Sequence, residues 1–593
     1  MVRKMDRRDF LKTAGAFAVG IVADPDGWER EIAGRLFSSE VPASATENIN
    51  SDRIKEIRDF CGEYGTPYNP NVFEAGERII FKGREPYLGI IARENVTIPE
   101  LTIKLTDAEA SIEATKMTLH DVSGAVEIPL GNCFLWKVPP VLKYKLIYRK
   151  PDGGSEETCY RHVKTPFGSL KDGPIKIIVF SDEHFPDDRG KKEAFQDPKM
   201  WEMRNNGEYV NRLFLSRLVN NPNYQPSGDE QRLMNGFNMA SAMWYIINHE
   251  NPDLTISVGD THGGFGHTWE DLDLPNQHLA TPAQKDSITK MFQLFQRKAH
   301  SAIMAHIPSY KALGNHEGEC GGAGTLEYAM KWRKQFLPLP GLVYGGSQYE
   351  NYYPIAWGGL NNSLENRPEV LCAIMDSTRY SFYPRKPEEW TAGEEQTKWL
   401  ADTLQKDASF RLVFLHHVFG GWPTESDCRI EGGHEYAYGR GMGFTREYYD
   451  AMNKFLEENG GAHLKVDPQG IEQVCHTNTF LRNGVNAVVY GHDHIFKGKK
   501  IGRCDDGREL HAVCAGSTKH VAETDWFEEP FFRKDYGDYA RREFFTCPGY
   551  VVIEISAGGI DFNYKNASPV SLNWGTNMPP GTRVGGNVST YSI

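Results

Sequence analysis

The chain is poor in thiol chemistry. Its ten cysteines, at 61, 133, 159, 320, 372, 428, 475, 504, 514 and 547, are scattered over 593 residues, and no two form a Cys-x-x-Cys pair. That spacing argues against a ribbon-type structural zinc site and leaves room for one or two disulfides in an oxidising compartment. No apolar run is long enough to span a bilayer. Positive charge is in deficit, with a net charge of −13. Such a balance argues against nonspecific binding to nucleic acid or to an anionic membrane. It does not exclude a phosphate ester, because bound divalent cations reverse the local field. Internal repeats are missing, as are basic stretches interleaved with aromatics of the kind that bind nucleic acid. What remains is an ordinary globular composition, 40% apolar, in a chain longer than one core usually fills. Two or three domains are therefore expected.

The first residues carry a signal of their own. Arg7-Arg8-Asp9-Phe10-Leu11-Lys12, ahead of the mildly apolar Thr13–Ala23, resembles a twin-arginine export signal. The apolar part is too short to cross a membrane. Ala43-Ser44-Ala45 offers a cleavage site, so residues 1–45 read as signal peptide and linker. The protein is expected to be exported by the twin-arginine route to the periplasm or the extracellular space.

Residues 46–170 read as a linker followed by a small β-sandwich. Leu101–Leu105 and Leu142–Tyr148 alternate apolar and polar residues, and Pro151-Asp-Gly-Gly154 supplies a hairpin turn. No site chemistry is visible there. From Ile175 the pattern becomes strand, helix, strand, which predicts an α/β layered domain over 171–565. Helices are expected over Gln231–Glu250 and near Ser287–His300, the second with Ile288, Met291, Phe292 and Phe295 inward. The tail 566–593, with Pro579-Pro580-Gly581, reads as irregular.

Five apolar runs in the α/β region each end in a polar cluster. Ile175–Phe180 leads to Asp182-Glu183-His184, and Leu254–Val258 to Gly259-Asp260. Ile307–Leu313 leads to Gly314-Asn315-His316-Glu317. Arg411–Leu415 ends in His416-His417, and Asn486–Tyr490 in Gly491-His492-Asp493-His494. Unbroken β-forming runs read as buried parallel strands, and ligands gather at their carboxyl ends. Asp182, His184, Asp260, Asn315, His416, His492 and His494 form the mixed carboxylate, amide and imidazole inventory of a two-metal hydrolase, with no thiolate. The ions are Fe, Mn or Zn in type. Arg379, His262, Trp422 and His434, in the connecting loops, are candidates for substrate contact, Arg379 because a guanidinium matches phosphate geometry.

In that order the five clusters resemble the signature D-x-H, G-D, G-N-H-[ED], H, G-H-x-H of the calcineurin-like metallophosphoesterases. The resemblance implies a four-layer αββα sandwich. It assigns Asp182, His184, Asp260 and His494 to one metal, and Asp260, Asn315, His416 and His492 to the other, with Asp260 bridging through its two oxygens. It implies a hydroxide held between the ions that attacks phosphorus, and His316 as the acid for the leaving oxygen. Purple acid phosphatases are more distant, since their pattern has Gly where His184 stands and a metal-bound Tyr at the position of Gly263. The reading that follows is an exported hydrolase of phosphomonoesters or small phosphodiesters. A non-catalytic secreted protein that binds metal or phosphate on the same fold is the alternative.

Overall fold

The computed structural model describes seven strands between Phe73 and His162, and then the segments 169–184, 238–261, 281–317, 326–341, 351–358, 368–378, 394–417, 476–518, 545–568 and 584–593, a few single positions within them excepted. The export signal of residues 1–45 and the substrate candidates Arg379, His262, Trp422 and His434 lie outside the described residues.

In the N-terminal region, β1 (Phe73–Lys82), β2 (Glu85–Ala92) and β4 (Cys133–Lys137) form one antiparallel sheet. A second antiparallel sheet joins β3 (Leu101–Leu105), β5 (Lys143–Arg149), β6 (Ser155–Glu157) and β7 (Arg161–His162). The segment predicted to turn, 151–154, connects β5 to its partner β6.

Two six-stranded mixed sheets build the α/β part. The first has the order β10 (Ser309–Lys311), β9 (Leu254–Ser257), β8 (Ile175–Phe180), β17 (Gly549–Ser556), β18 (Gly559–Asn566) and β19 (Asn587–Ser592). Its first three strands are parallel and the rest antiparallel. The second has the order β11 (Tyr353–Trp357), β12 (Val370–Ile374), β13 (Phe410–Phe414), β14 (Ala487–Tyr490), β16 (Glu509–Ala515) and β15 (Phe496–Arg503). Here β12, β13, β14 and β16 run parallel.

Burial on both faces explains the unbroken apolar runs. Along β8, Ile177 and Val179 face a core between the sheets that also takes Leu412 and Phe414 of β13 and Val489 of β14. The alternate residues of the second sheet, Val413, Leu415 and Val488, meet Leu400, Leu404 and Phe480 on its other side. Those last three belong to helices at 394–404 and 476–482. A helix ending in the π-turn Ile246–Glu250, here α1, and α2 (Pro282–Ala299) belong to the connections of the first sheet. The four-layer order α, β, β, α is thereby met.

One expectation changes. The tail is not irregular throughout: 587–592 form β19, hydrogen-bonded along β18, and Tyr591 packs on Phe562. Its short Val-Ser-Thr-Tyr alternation is a strand because β18 offers an unpaired edge, which no local signal reveals. In the π-turn of α1, Ile246 is buried and Ile247 half-buried. Among the described side chains of α2, Thr289, Gln293, Gln296 and Arg297 are buried. The side chains of Ile288, Met291, Phe292 and Phe295 lie outside the described residues. Thr281 and Gln284 cap that helix reciprocally, each side chain taking the other's backbone N–H.

Candidate metal centre

All five clusters follow strands whose carboxyl ends lie at one edge of the paired sheets. Ladder bonding continues past the strand ends. The amides of Asp182 and His184 donate to the carbonyls of Gly259 and Asp260, at 3.0 and 2.9 Å, and Gly491 donates to His416 at 3.0 Å. The sheets are also tied to each other, because His416 Nδ1 donates to the carbonyl of Val258 at 2.8 Å. A carbonyl only accepts, so the proton sits on Nδ1 and Nε2 presents its lone pair inward.

The turns are held in costly backbone. Asp182, His184, Asp260, His492 and His494 all have positive φ, between 43° and 72°. For residues other than glycine, each such conformation costs roughly 1–2 kcal/mol. Strain of this kind gathers where surrounding structure over-determines a functional geometry. Crowding explains the motif glycines: a Cβ on Gly259 would strike the backbone of Gly314, and one on Gly314 would strike Asp260.

The predicted ligands converge in two groups. In one, His184 Nε2 lies 2.9 Å from His494 Nε2, and Asp182 Oδ1 lies 3.4 Å from His494 Nε2. In the other, His416 Nε2 lies 3.1 Å from Asn315 Oδ1, 3.2 Å from His492 Nδ1 and 3.1 Å from Asp260 Oδ2. Asp260 Oδ2 is also 3.7 Å from His184 Nε2, so it faces both groups. Its other oxygen, Oδ1, accepts the amide of His316 at 2.8 Å. Oδ2 is thus the oxygen that faces both donor groups, while Oδ1 is engaged by a backbone amide. His316 is half-buried, with Nε2 3.8 Å from Asp260 Oδ2 and its ring edge-on to His184.

The donors fit a pair of cations. Separations near 3.0–3.4 Å are what metal–ligand bonds of about 2.0–2.2 Å produce at tetrahedral or octahedral angles. Asp182 Oδ1 is buried and accepts no hydrogen bond, an expensive condition for a carboxylate unless a cation meets it. Its other oxygen takes the amide of His492 at 2.8 Å and the hydroxyl of Ser181.

Without cations, protons compensate the charge. Burial pushes the Asp182 carboxyl up to about 7, against the pull of His416. Burial raises Asp260 too, but His416, His316 and His184 outweigh it and hold that carboxyl well below the usual range. His416 is lowered by burial and raised more by Asp260, ending at about 9. Its neighbour His417 is held well below its ordinary value by burial and by His416. His417 Nδ1 lies 3.1 Å from both the hydroxyl and the carbonyl oxygen of Ser377, and its ring packs on His492.

The sequence reading missed what stands behind the ligands. Glu317 accepts the amides of Asp260, Thr261 and Gly314, and Lys311 donates to Glu317 from below. Glu183, the middle residue of the first cluster, has His300 Nε2 3.2 Å from Oε1. A lysine inside the apolar run Ile307–Leu313 was the available signal, since a charge there needs a buried partner.

The sequence pattern of the calcineurin-like phosphoesterases matches residues 175–496. No curated protein sequence matches the chain. Three solved structures resemble the chain at low identity. The purple acid phosphatase PPD1 of yellow lupin (Lupinus luteus) is 13% identical, with TM-score 0.44, over 88% of this chain and 75% of that one. PhoD is 12% identical, with TM-score 0.47, over 88% and 92%. GAP50, the anchor in the inner membrane complex of Plasmodium, is 11% identical, with TM-score 0.31, over 71% and 88%.

Proposed function

The chain belongs to the calcineurin-like phosphoesterase family and is a metal-dependent phosphoester hydrolase; from that premise we propose that it is an exported enzyme with a binuclear centre, cleaving phosphomonoesters or small phosphodiesters. The observation that carries the binuclear reading is Asp260 Oδ2, placed 3.1 Å from His416 Nε2 and 3.7 Å from His184 Nε2, between two donor groups. Asp182, His184 and His494 with Asp260 would hold one ion; Asn315, His416 and His492 with Asp260 would hold the other. Bound there, two ions of the Fe, Mn or Zn type supply Lewis acidity at the phosphoryl oxygens and a water acidic enough to react near neutral pH.

The chain's own residues do the rest. Asp182 and Asp260 lower the charge of the centre, and the imidazoles offer lone pairs, that of His416 from a tautomer fixed by the Val258 carbonyl. His316 is the group able to give a proton to a leaving alkoxide, because its half-buried ring stands beside Asp260 Oδ2, at 3.8 Å, while its amide stays bound to Asp260. Export rests on Arg7-Arg8 and the residues after them. No helix among the described residues is long and apolar enough to cross a membrane.

Elemental analysis of the purified protein, together with turnover of p-nitrophenyl phosphate and its bis ester under Mn²⁺ or Zn²⁺, tests the reading. Two ions per chain and hydrolysis of either ester are expected. Two ions with no turnover on any phosphoester would instead support a secreted metal- or phosphate-binding protein.

A further inference from the structure

We propose that Lys311 and Gln296 are positioning residues of the metal centre, acting through Glu317 to fix the spacing between Asp260 and the Asn315–His316 turn. This rests on the two-metal reading above. Lys311 ends β10 and is buried, with 3% of its surface exposed. An ammonium has three protons, and here each has an acceptor: Thr261 Oγ1 at 2.6 Å, Gln296 Oε1 at 2.6 Å and Glu317 Oε1 at 2.9 Å. Glu317 is itself fully buried. Its Oε1 also accepts the Thr261 amide at 2.9 Å, and its Oε2 accepts the amides of Asp260, at 3.0 Å, and Gly314.

One carboxylate thus gathers backbone N–H groups from two loops that leave different strands. Those loops carry the bridging oxygen and the Asn315 ligand. Helix α2 closes the arrangement from behind. Gln296 reaches Lys311, and Gln293 Nε2 donates to the Glu317 carbonyl at 2.9 Å. The two glutamines are buried about a turn apart on α2.

Stability does not account for this design. Replacing a buried ion pair with well-packed apolar residues is often neutral or stabilising, and the neighbours Tyr310 and Ala312 are already buried and apolar. What the pair adds is direction: Lys311 holds the Glu317 carboxylate aimed at three amides, which sets where Asp260 points. Lys311 touches no predicted ligand, so its effect on metal passes through Glu317.

The test is titration of full-length, metal-stripped protein with Mn²⁺ alone and with Zn²⁺ alone, below the unfolding temperature. Lys311→Met is expected to weaken uptake of the ions about 10–100-fold, the range for losing a group that orients ligands. Arg411→Met is the comparison. That buried arginine, at the opposite end of the second sheet, donates to the carbonyls of Leu404, Lys406 and Ala408 and reaches no site residue. It should lower Tm and leave metal affinity as in the wild type. Wild-type affinity in Lys311→Met, or equal loss in Arg411→Met, would overturn the proposal. If Lys311→Met does not fold, Gln296→Leu decides: several-fold weaker uptake supports the proposal and unchanged uptake defeats it. A wild-type protein that takes up neither ion would overturn the two-metal reading itself, and this proposal with it.

Discussion

Asp260 accepts the backbone amide of His316 on Oδ1, at 2.8 Å, and turns Oδ2 alone toward both donor groups. One carboxylate therefore joins two jobs. Its first oxygen positions the residue proposed as the acid, and its second is the one placed to join the two proposed ions.

Asp260→Asn should accordingly weaken both ions together. An amide that keeps its oxygen on the His316 amide turns an NH2 group, which is no ligand, toward the cations. The expected fall exceeds the ~10–100-fold of an outer-shell change, read as metal per chain after dialysis. Retention of one ion at full occupancy would reject the bridge.

His316→Ala removes the imidazole and keeps the amide that Asp260 holds. Both ions should stay, while kcat falls by ~10²–10⁴, the usual loss for a general acid. Steady-state kinetics on an ester with a poor leaving group measures this. Loss of metal in the same variant would instead make His316 a ligand, which its place 3.8 Å from Asp260 Oδ2 permits.

The metal-free fold should lose stability as pH rises from 6.5 to 9. Asp182 and His416 have folded values of about 7 and about 9, above their ordinary 3.8 and 6.5. Each contributes stability that is complete below the ordinary value and lost as pH rises through the folded one. Burial and His416 hold His417 low, which acts oppositely as pH falls below 6.5, and the depressed Asp260 does so at lower pH still. Above 6.5 only the falling contributions remain, and His416 accounts for about 3 kcal/mol of them. Cations take the place of these protons, so metal affinity should rise across the same window. Thermal melts with and without metal check both slopes; a flat metal-free Tm would contradict the assignment.

Gly314→Ala should cost about 1–3 kcal/mol of stability and metal affinity as well, because its Cβ would collide with Asp260 and Glu317. Gly558→Ala is the contrast: its Cβ would meet only Ser556 Oγ at 3.6 Å, so Tm should hardly move. Equal effects of the two substitutions would mean that the Gly259–Gly314 approach does not set the site.

Much of the centre was legible because its chemistry is local. Each cluster needs the right residue types just past an apolar run, and chain order displays both. The strand Ile175–Phe180 and the ligand list could be read without coordinates for that reason. The buried polar residues of α2 could not, because Gln293 and Gln296 look like surface residues until Lys311 and Glu317 come into view across the fold. Strand β19 was hidden likewise, since five or six residues of weak alternation pair only where an edge awaits them.

The sequence by itself determined which side chains could bind metal, and that they would stand at the carboxyl ends of parallel strands. That follows from ligand chemistry and from apolar runs, both properties of short stretches. Only the tertiary structure decided which oxygen of Asp260 faces both donor groups, which nitrogen of His416 faces inward, and that a buried Lys311–Glu317 pair holds the amides of the turns. Those outcomes depend on hydrogen bonds between residues far apart in the chain, made where two sheets meet, and no local pattern encodes their distances.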